Sequence, residues 1–537
     1  MKAILLICVI ALLAGCTFAS PAPTAAPTIP PTVVPLKDVT VLPRASRPNF
    51  LFIFVDDLDA KLGTLQYMLH LQELLTSQGL TIDNFLISTP VCCPSRSSVL
   101  RGQYAQNHEV LTNAPPLGGF EKFYALQHES STLATWLQAA GYRTALFGKY
   151  LNGYPPAGNR TYIPPGWSTW YSPARGTPYK EQNYYLNENG TLVGYGLGAD
   201  EYLTDVLARK VDDYLKNTAS DPQPFFIYLA PYAPHEPATP APQDAKLFPD
   251  LQAPRTPSFN EADVSDKPGN IRADPLLTAD QIAKIDELYR QRVRSMQAVD
   301  RMIAQLIGTL QASGKLDNTY IIFSSDNGYH LGQHRLLAGK NRPYEEDIVV
   351  PLILRGPGVP AGQELKDSLV GNTDIGPTIA DLAGVVPPAY VDGRSIAPLW
   401  SADRPSLASW RQGYLIEDWG SDDQASASLH PVSIGGIGPS TGFFGAADGL
   451  LEPADPDQLL QAGPPADFYG VRTVQYMYVE YSDGERELYD LKQDPYELSN
   501  LISTADSSLL AQFSAWLKAL RACAAASCRT AEQIGLH

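Results

Sequence analysis

Short runs of large apolar residues recur along the chain, separated by longer stretches with helical periodicity. Asn49-Phe-Leu-Phe-Ile-Phe-Val55 is apolar at every position after the first, which predicts a strand buried on both faces. The same pattern predicts strands over Tyr142–Phe147, Pro224–Ala230, Thr319–Ser324 and Val349–Leu354. Ser131 is placed to cap a helix through Leu133, Trp136, Leu137 and Ala140, with Gly141 as its stop. Between Ala279 and Ala312, Ile282, Ile285, Leu288, Val293, Met296, Val299, Met302, Ile303 and Leu306 mark the apolar side of one long amphipathic helix. Strands alternating with helices predict an α/β fold, a large mostly parallel sheet flanked by helices. A break near Trp400–Arg411 predicts a smaller C-terminal α+β subdomain, with a strand over Val471–Tyr481 and a last helix over Ser507–Leu520.

The N-terminal end has a different pattern. Lys2 is followed by the apolar run Ala3–Leu13 and by Leu13-Ala14-Gly15-Cys16, a bacterial lipobox. The expected organisation is therefore a lipoprotein-type signal over 1–16, a Pro/Thr-rich tether over 17–45, a main domain over 46–405 and the subdomain over 406–537. Export is expected, with the membrane touched only through a lipid on Cys16.

Composition changes this picture in two ways. Charged residues are 18% and hydrophobic residues 44% of 537, which suits a large buried core. The formal net charge of −17 excludes nucleic acid as a partner, and any anionic substrate would need local positive charge to bind. Of the six cysteines, Cys8 and Cys16 belong to the signal, and Cys523 and Cys528 are close enough in sequence to form a small disulfide in an oxidising compartment. Cys92 and Cys93 remain to be explained.

Ligands of open α/β sheets bind beyond the carboxyl ends of the strands. Here the first strand ends in Asp56-Asp57, the Tyr142–Phe147 strand in Gly148-Lys149, and the Thr319–Ser324 strand in Ser325-Asp326-Asn327-Gly328, while Pro224–Ala230 leads to His235. Asp56, Asp57, Asp326 and Asn327 make an all-oxygen set of the kind hard cations such as calcium or magnesium prefer.

Cys92-Cys-Pro-Ser-Arg-Ser-Ser-Val-Leu-Arg-Gly102 resembles the signature of the sulfatases, Cys-x-Pro-Ser-Arg followed by Leu-Thr-Gly. The resemblance extends over nearly everything after the tether: Asp56-Asp57 and Asp326-Asn327-Gly328 look like the metal pairs, Phe147-Gly-Lys-Tyr-Leu-Asn-Gly153 like the lysine loop, and Glu487–Leu501 like the closing segment. Thr89–Ser98, Asn107-His108, Gly148–Asn152, Tyr162–Trp167, Ser325–Gln333 and Cys523…Cys528 are similar to the N-acetylglucosamine-6-sulfatase group, which includes the extracellular heparan 6-O-endosulfatases. Three departures stand out. Leu151 replaces a histidine found in many sulfatases, a change that this group shares. Arg101 replaces the usual threonine before Gly102. The long basic insert of the endosulfatases is absent.

The resemblance implies an alkaline-phosphatase-like fold, one calcium ion held by Asp56, Asp57, Asp326, Asn327 and residue 92, and conversion of Cys92 to formylglycine by a maturation enzyme. One hydroxyl of the formylglycine hydrate attacks sulfur and expels the alcohol, and deprotonation of the other releases sulfate. Arg96 is expected to anchor the hydrate, Lys149 and Lys340 to hold sulfate oxygens, and His235 to protonate the leaving group or bind sulfate. His330, His334 and His108 are substrate-contact candidates. The implied substrate is a sulfated mono- or oligosaccharide, of the 6-O-sulfated N-acetylglucosamine type. The rival readings are a phosphomonoester or phosphonate hydrolase of the same superfamily and a binding lipoprotein with a decayed site.

Overall fold

The computed structural model describes residues 47–420 and 466–536. The expected signal, the whole tether and Cys16 lie outside these. Among the described residues no helix is long and apolar enough to cross a membrane.

Ten strands form the main sheet: β1 (Asn49–Val55), β2 (Leu80–Ile82), β3 (Arg143–Gly148), β4 (Thr169–Gly176), β5 (Tyr184–Glu188), β6 (Thr191–Tyr195), β7 (Phe225–Ala230), β8 (Thr319–Ser325), β9 (Leu352–Arg355) and β10 (Gln363–Leu365), in the spatial order β10-β2-β9-β8-β1-β7-β3-β4-β5-β6. The central block β8-β1-β7-β3-β4 is parallel throughout, whereas β9, β5 and β6 run antiparallel to their neighbours. The sheet is therefore mixed around a parallel centre. The expected strand at Val349 starts three residues later. Pro351 has no N–H to donate to a ladder, and Val349 and Val350 instead bond to the Phe85–Leu86 segment.

The apolar run of β1 behaves as its composition demands. Phe50, Phe52 and Phe54 enter one hydrophobic core, and Leu51, Ile53 and Val55 enter the core on the opposite face. On the second face lie α2 (Leu203–Asn217) and the long α3 (Ala279–Ala312), with Val206, Val211, Met296, Val299 and Met302 buried. On the first lies α1 (Cys92–Arg101), through Val99 and Leu100. The helix expected to be capped by Ser131 spans Leu133–Ala139 and is capped by Thr132, whose hydroxyl accepts the Thr135 N–H, while Ser131 Oγ accepts the Trp136 indole N–H.

The C-terminal sheet is antiparallel: β11 (Gly413–Asp418), β12 (Phe468–Thr473), β13 (Tyr476–Tyr481) and β14 (Arg486–Asp490), covered by α4 (Ser507–Arg521). Val471–Tyr481, expected as one strand, is a hairpin. Thr473 Oγ1 accepts the N–H groups of Gln475 and Tyr476 and reverses the chain. Cys523 and Cys528 form a disulfide.

Gly148 ends β3 with φ 105°, and a Cβ there would lie 2.0 Å from the Ala230 carbonyl oxygen of β7. Gly148→Ala is expected to destabilise the fold by at least about 2 kcal/mol, read as a lower urea midpoint with an unchanged m-value.

Candidate active site

β8, β1, β7 and β3 are consecutive neighbours in the sheet, so the residues following them emerge side by side. Asp56-Asp57 follow β1, Asp326-Asn327 follow β8, Lys149 follows β3, and His235 lies in the loop after β7. Asp57 takes a left-handed backbone, φ 65°, which turns its carboxylate back over the strand ends. Cys92 opens α1, and Arg96, four residues on, shares its face of the helix.

These side chains interlock. Lys149 Nζ donates to Asp56 Oδ2 at 2.6 Å, Lys340 Nζ to Asp57 Oδ1 at 2.7 Å and Arg96 Nε to Asp326 Oδ2 at 2.8 Å. Asn327 Nδ2 donates to Asp57 Oδ1 at 2.6 Å, and His235 Nε2 lies 3.6 Å from Asp57 Oδ2. Cys92 Sγ is 3.0 Å from Lys340 Nζ, 3.5 Å from Asp56 Oδ1 and 3.9 Å from Asp57 Oδ1. Every one of these residues is buried. Burial by itself would raise the Asp56 carboxyl, but Lys149, His235, Arg96 and Lys340 together hold it below the usual carboxylate range. Burial dominates at Cys92 and pushes its thiol up to about 12, against the opposing pull of Lys149 and Lys340.

The donor set fits a hard cation. Asp56, Asp57 and Asp326 supply carboxylate oxygens, and Asn327 Oδ1 is a buried amide oxygen that accepts no hydrogen bond from the described residues. With the carboxylates balanced by Arg96, Lys149 and Lys340, the cluster can take up a cation together with an anion at little net charge.

A family model for sulfatases matches residues 48–385. The chain belongs to the sulfatase family. It is 35% identical to the human N-acetylglucosamine-6-sulfatase over 496 residues, 90% of this chain and 86% of that one. To an extracellular sulfatase SULF-1 homolog of Drosophila melanogaster it is 37% identical over 386 residues, 71% of this chain but 34% of that longer protein; the match covers 54% of a Caenorhabditis elegans counterpart. Among solved structures, one described as a complex with its substrate D-glucosamine-2-N,6-O-disulfate aligns with TM-score 0.66 at 22% identity, covering 88% of this chain and 97% of that one. A phosphonate monoester hydrolase from Silicibacter pomeroyi aligns with TM-score 0.61 at 23% identity, covering 87% and 93%. These two likenesses bear on the fold, which this sulfatase shares with both.

The histidine candidates separate. His330 sits in a short strand (His330–Leu331) whose partner residue Gly339 precedes Lys340, and Asp347 holds its Nδ1 at 2.9 and 3.0 Å. His108 is buried: its Nε2 bonds Ser98 Oγ at 3.0 Å, its Nδ1 accepts the Val110 N–H, and burial pushes its pKa well below the usual value. His334 is also fully buried, with Nδ1 on Glu261 Oε2 at 2.7 Å and its ring 4.2 Å from that of Tyr344. Arg101, the unusual residue before Gly102, bonds Gln103 and the Ser131 carbonyl and stacks 4.2 Å over Tyr390.

Residues that sequence reasoning missed support the site from behind. Lys149 Nζ lies 5.0 Å from the Tyr179 ring and 5.7 Å from that of Tyr232. Asn113 Oδ1 accepts the Cys93 N–H at 2.8 Å and steadies the start of α1. Arg292 on α3, fully buried, donates to the Asp57 and Pro234 carbonyls and stacks 4.2 Å over Tyr329, joining the Asp56-Asp57 turn to the His235 loop. Its signal was present: Ile285, Tyr289, Arg292 and Met296 follow helical spacing, which puts a charge on an apolar face. Arg292→Lys cannot span both carbonyls, and kcat/KM on a sulfate ester is expected to fall about 10- to 100-fold while the far-UV spectrum is kept.

Proposed function

We propose that the chain removes sulfate from a sulfated sugar of the 6-O-sulfated N-acetylglucosamine type, with Cys92 matured to formylglycine and calcium held by Asp56, Asp57, Asp326, Asn327 and residue 92. The observation that carries this reading is the setting of Cys92, a buried sulfur among carboxylates and ammonium groups at the strand ends. As a thiol it stays protonated at neutral pH and is a poor nucleophile. Matured, it would offer hydrate hydroxyls for attack on sulfur, and the ion would supply Lewis-acid activation.

The surrounding groups take roles that suit their positions. Arg96 orients residue 92 and Asp326. Lys149 and Lys340 neutralise sulfate oxygens. His235 Nδ1 bonds the Glu236 carbonyl at 2.7 Å, so Nε2 is the nitrogen turned toward Asp57 and able to protonate the departing sugar oxygen. His330, oriented by Asp347, is a sugar contact. The human relative's name and the glucosamine disulfate complex support a glucosamine-type substrate. A net charge of −17 and no long basic insert favour a small or terminal sugar over an internal unit of a polyanion. The extracellular relatives and the N-terminal pattern support export, with a lipid on Cys16 as anchor.

The direct test is turnover of glucosamine sulfated at O6, at O3 and at N, beside a phosphonate monoester, in one preparation. Preference for the 6-O-sulfate is expected, and faster phosphonate hydrolysis would sink the proposal. Cys92→Ala is expected to lower turnover by at least about a thousandfold. Mass spectrometry of the Cys92 peptide should find the aldehyde or its hydrate. Unmatured chain, in contrast, should resist iodoacetamide at Cys92 at pH 8 until unfolded, because alkylation needs a thiolate that forms only near pH 12. Asp347→Asn should raise KM for the sugar by about tenfold with a smaller change in kcat, as expected for a positioning residue.

A further inference from the structure

We infer that the chain holds a second divalent ion, of zinc type, at His334, Glu346 and Glu497. These residues come from three segments: the turn between the short strands His330–Leu331 and Ala338–Gly339, the helix Glu345–Ile348, and the loop after β14. A ring nitrogen of His334 and one carboxylate oxygen each from Glu346 and Glu497 lie within 4.8 Å of one another, and all three residues are buried.

The hydrogen bonds leave the right atoms over. His334 Nδ1 is taken by Glu261, and Nε2 has no partner among the described residues. Glu497 Oε2 accepts the Glu345 N–H at 2.9 Å, while Oε1 has none. A carboxylate on the far ring nitrogen is how proteins orient a metal-bound histidine and raise its basicity, and Glu261 stands in that position. Of the cations around it, Lys61 and Arg472 bind Glu345, and Lys267 binds Glu261. A divalent ion would offset the charges of Glu346 and Glu497 and satisfy the imidazole.

The donors also set the metal. One imidazole and two carboxylates suit zinc, whereas the all-oxygen set near Cys92 suits calcium. Bound here, the ion would tie the turn leading to Lys340 to the C-terminal subdomain, a structural role separate from sulfate ester chemistry.

The test uses the full chain, incubated with zinc chloride in excess calcium, gel-filtered and assayed for metal by mass spectrometry. Stoichiometric zinc is expected in the natural chain and in Asp326→Asn, and its loss in Glu497→Gln. Zinc should raise Tm by several degrees in the natural chain and not in Glu497→Gln. If Glu497→Gln fails to fold, zinc X-ray absorption of the natural chain decides, with one imidazole nitrogen among oxygen ligands expected. No retained zinc, or equal retention in Glu497→Gln, would overturn the inference, the two carboxyls then being neutralised by protons.

Discussion

Asp56, Asp57 and Asp326 face Arg96, Lys149 and Lys340 across a few ångströms of buried space at the carboxyl edge of the sheet. Removing such charges from water costs several kcal/mol per ion unless each finds a partner, and deleting one partner leaves another stranded. The strand order answers this constraint. Because β8, β1, β7 and β3 are adjacent and parallel, their ends deliver opposite charges to the same place. The left-handed turn at Asp57 and the buried Arg292 behind it hold the pairs at bonding distance.

That local balance reconciles an acidic protein with an anionic substrate. The surface as a whole repels anions, but Arg96, Lys149 and Lys340 present positive charge in a low-dielectric setting, where it acts more strongly than in water. The proposed preference for small sulfated sugars over long polyanions rests on the same contrast. Cys92 sits within this field, where burial outweighs Lys149 and Lys340 and raises its thiol to about 12.

The histidines show how similar loop residues diverge once packed. His330 and His334 lie four residues apart, and each has a carboxylate on Nδ1, Asp347 for one and Glu261 for the other. His330 pairs in a strand that leads its partner into Lys340, while His334 faces the acids Glu346 and Glu497. Sequence spacing treats the two alike, and only the direction of each ring separates their surroundings.

Much of the fold was legible because strong apolar runs admit few alternatives. Asn49–Val55 and Ala279–Ala312 form as their periodicity requires, and the acids and lysine after successive strands mark the binding edge before any coordinates are known. Local chemistry decided smaller points that apolar pattern cannot register: Pro351 delays β9, Thr473 folds Val471–Tyr481 into a hairpin, and Thr132 takes the cap from Ser131. Residue types and their order along the chain determined the family, the α/β class and the cluster around Cys92, since these follow from periodicity and from short contiguous motifs. Tertiary structure alone decided that Arg292 braces Asp57, that Asp347 orients His330, and that Glu497 meets His334, because those pairs are distant in sequence and no local pattern encodes which buried charges come within a few ångströms.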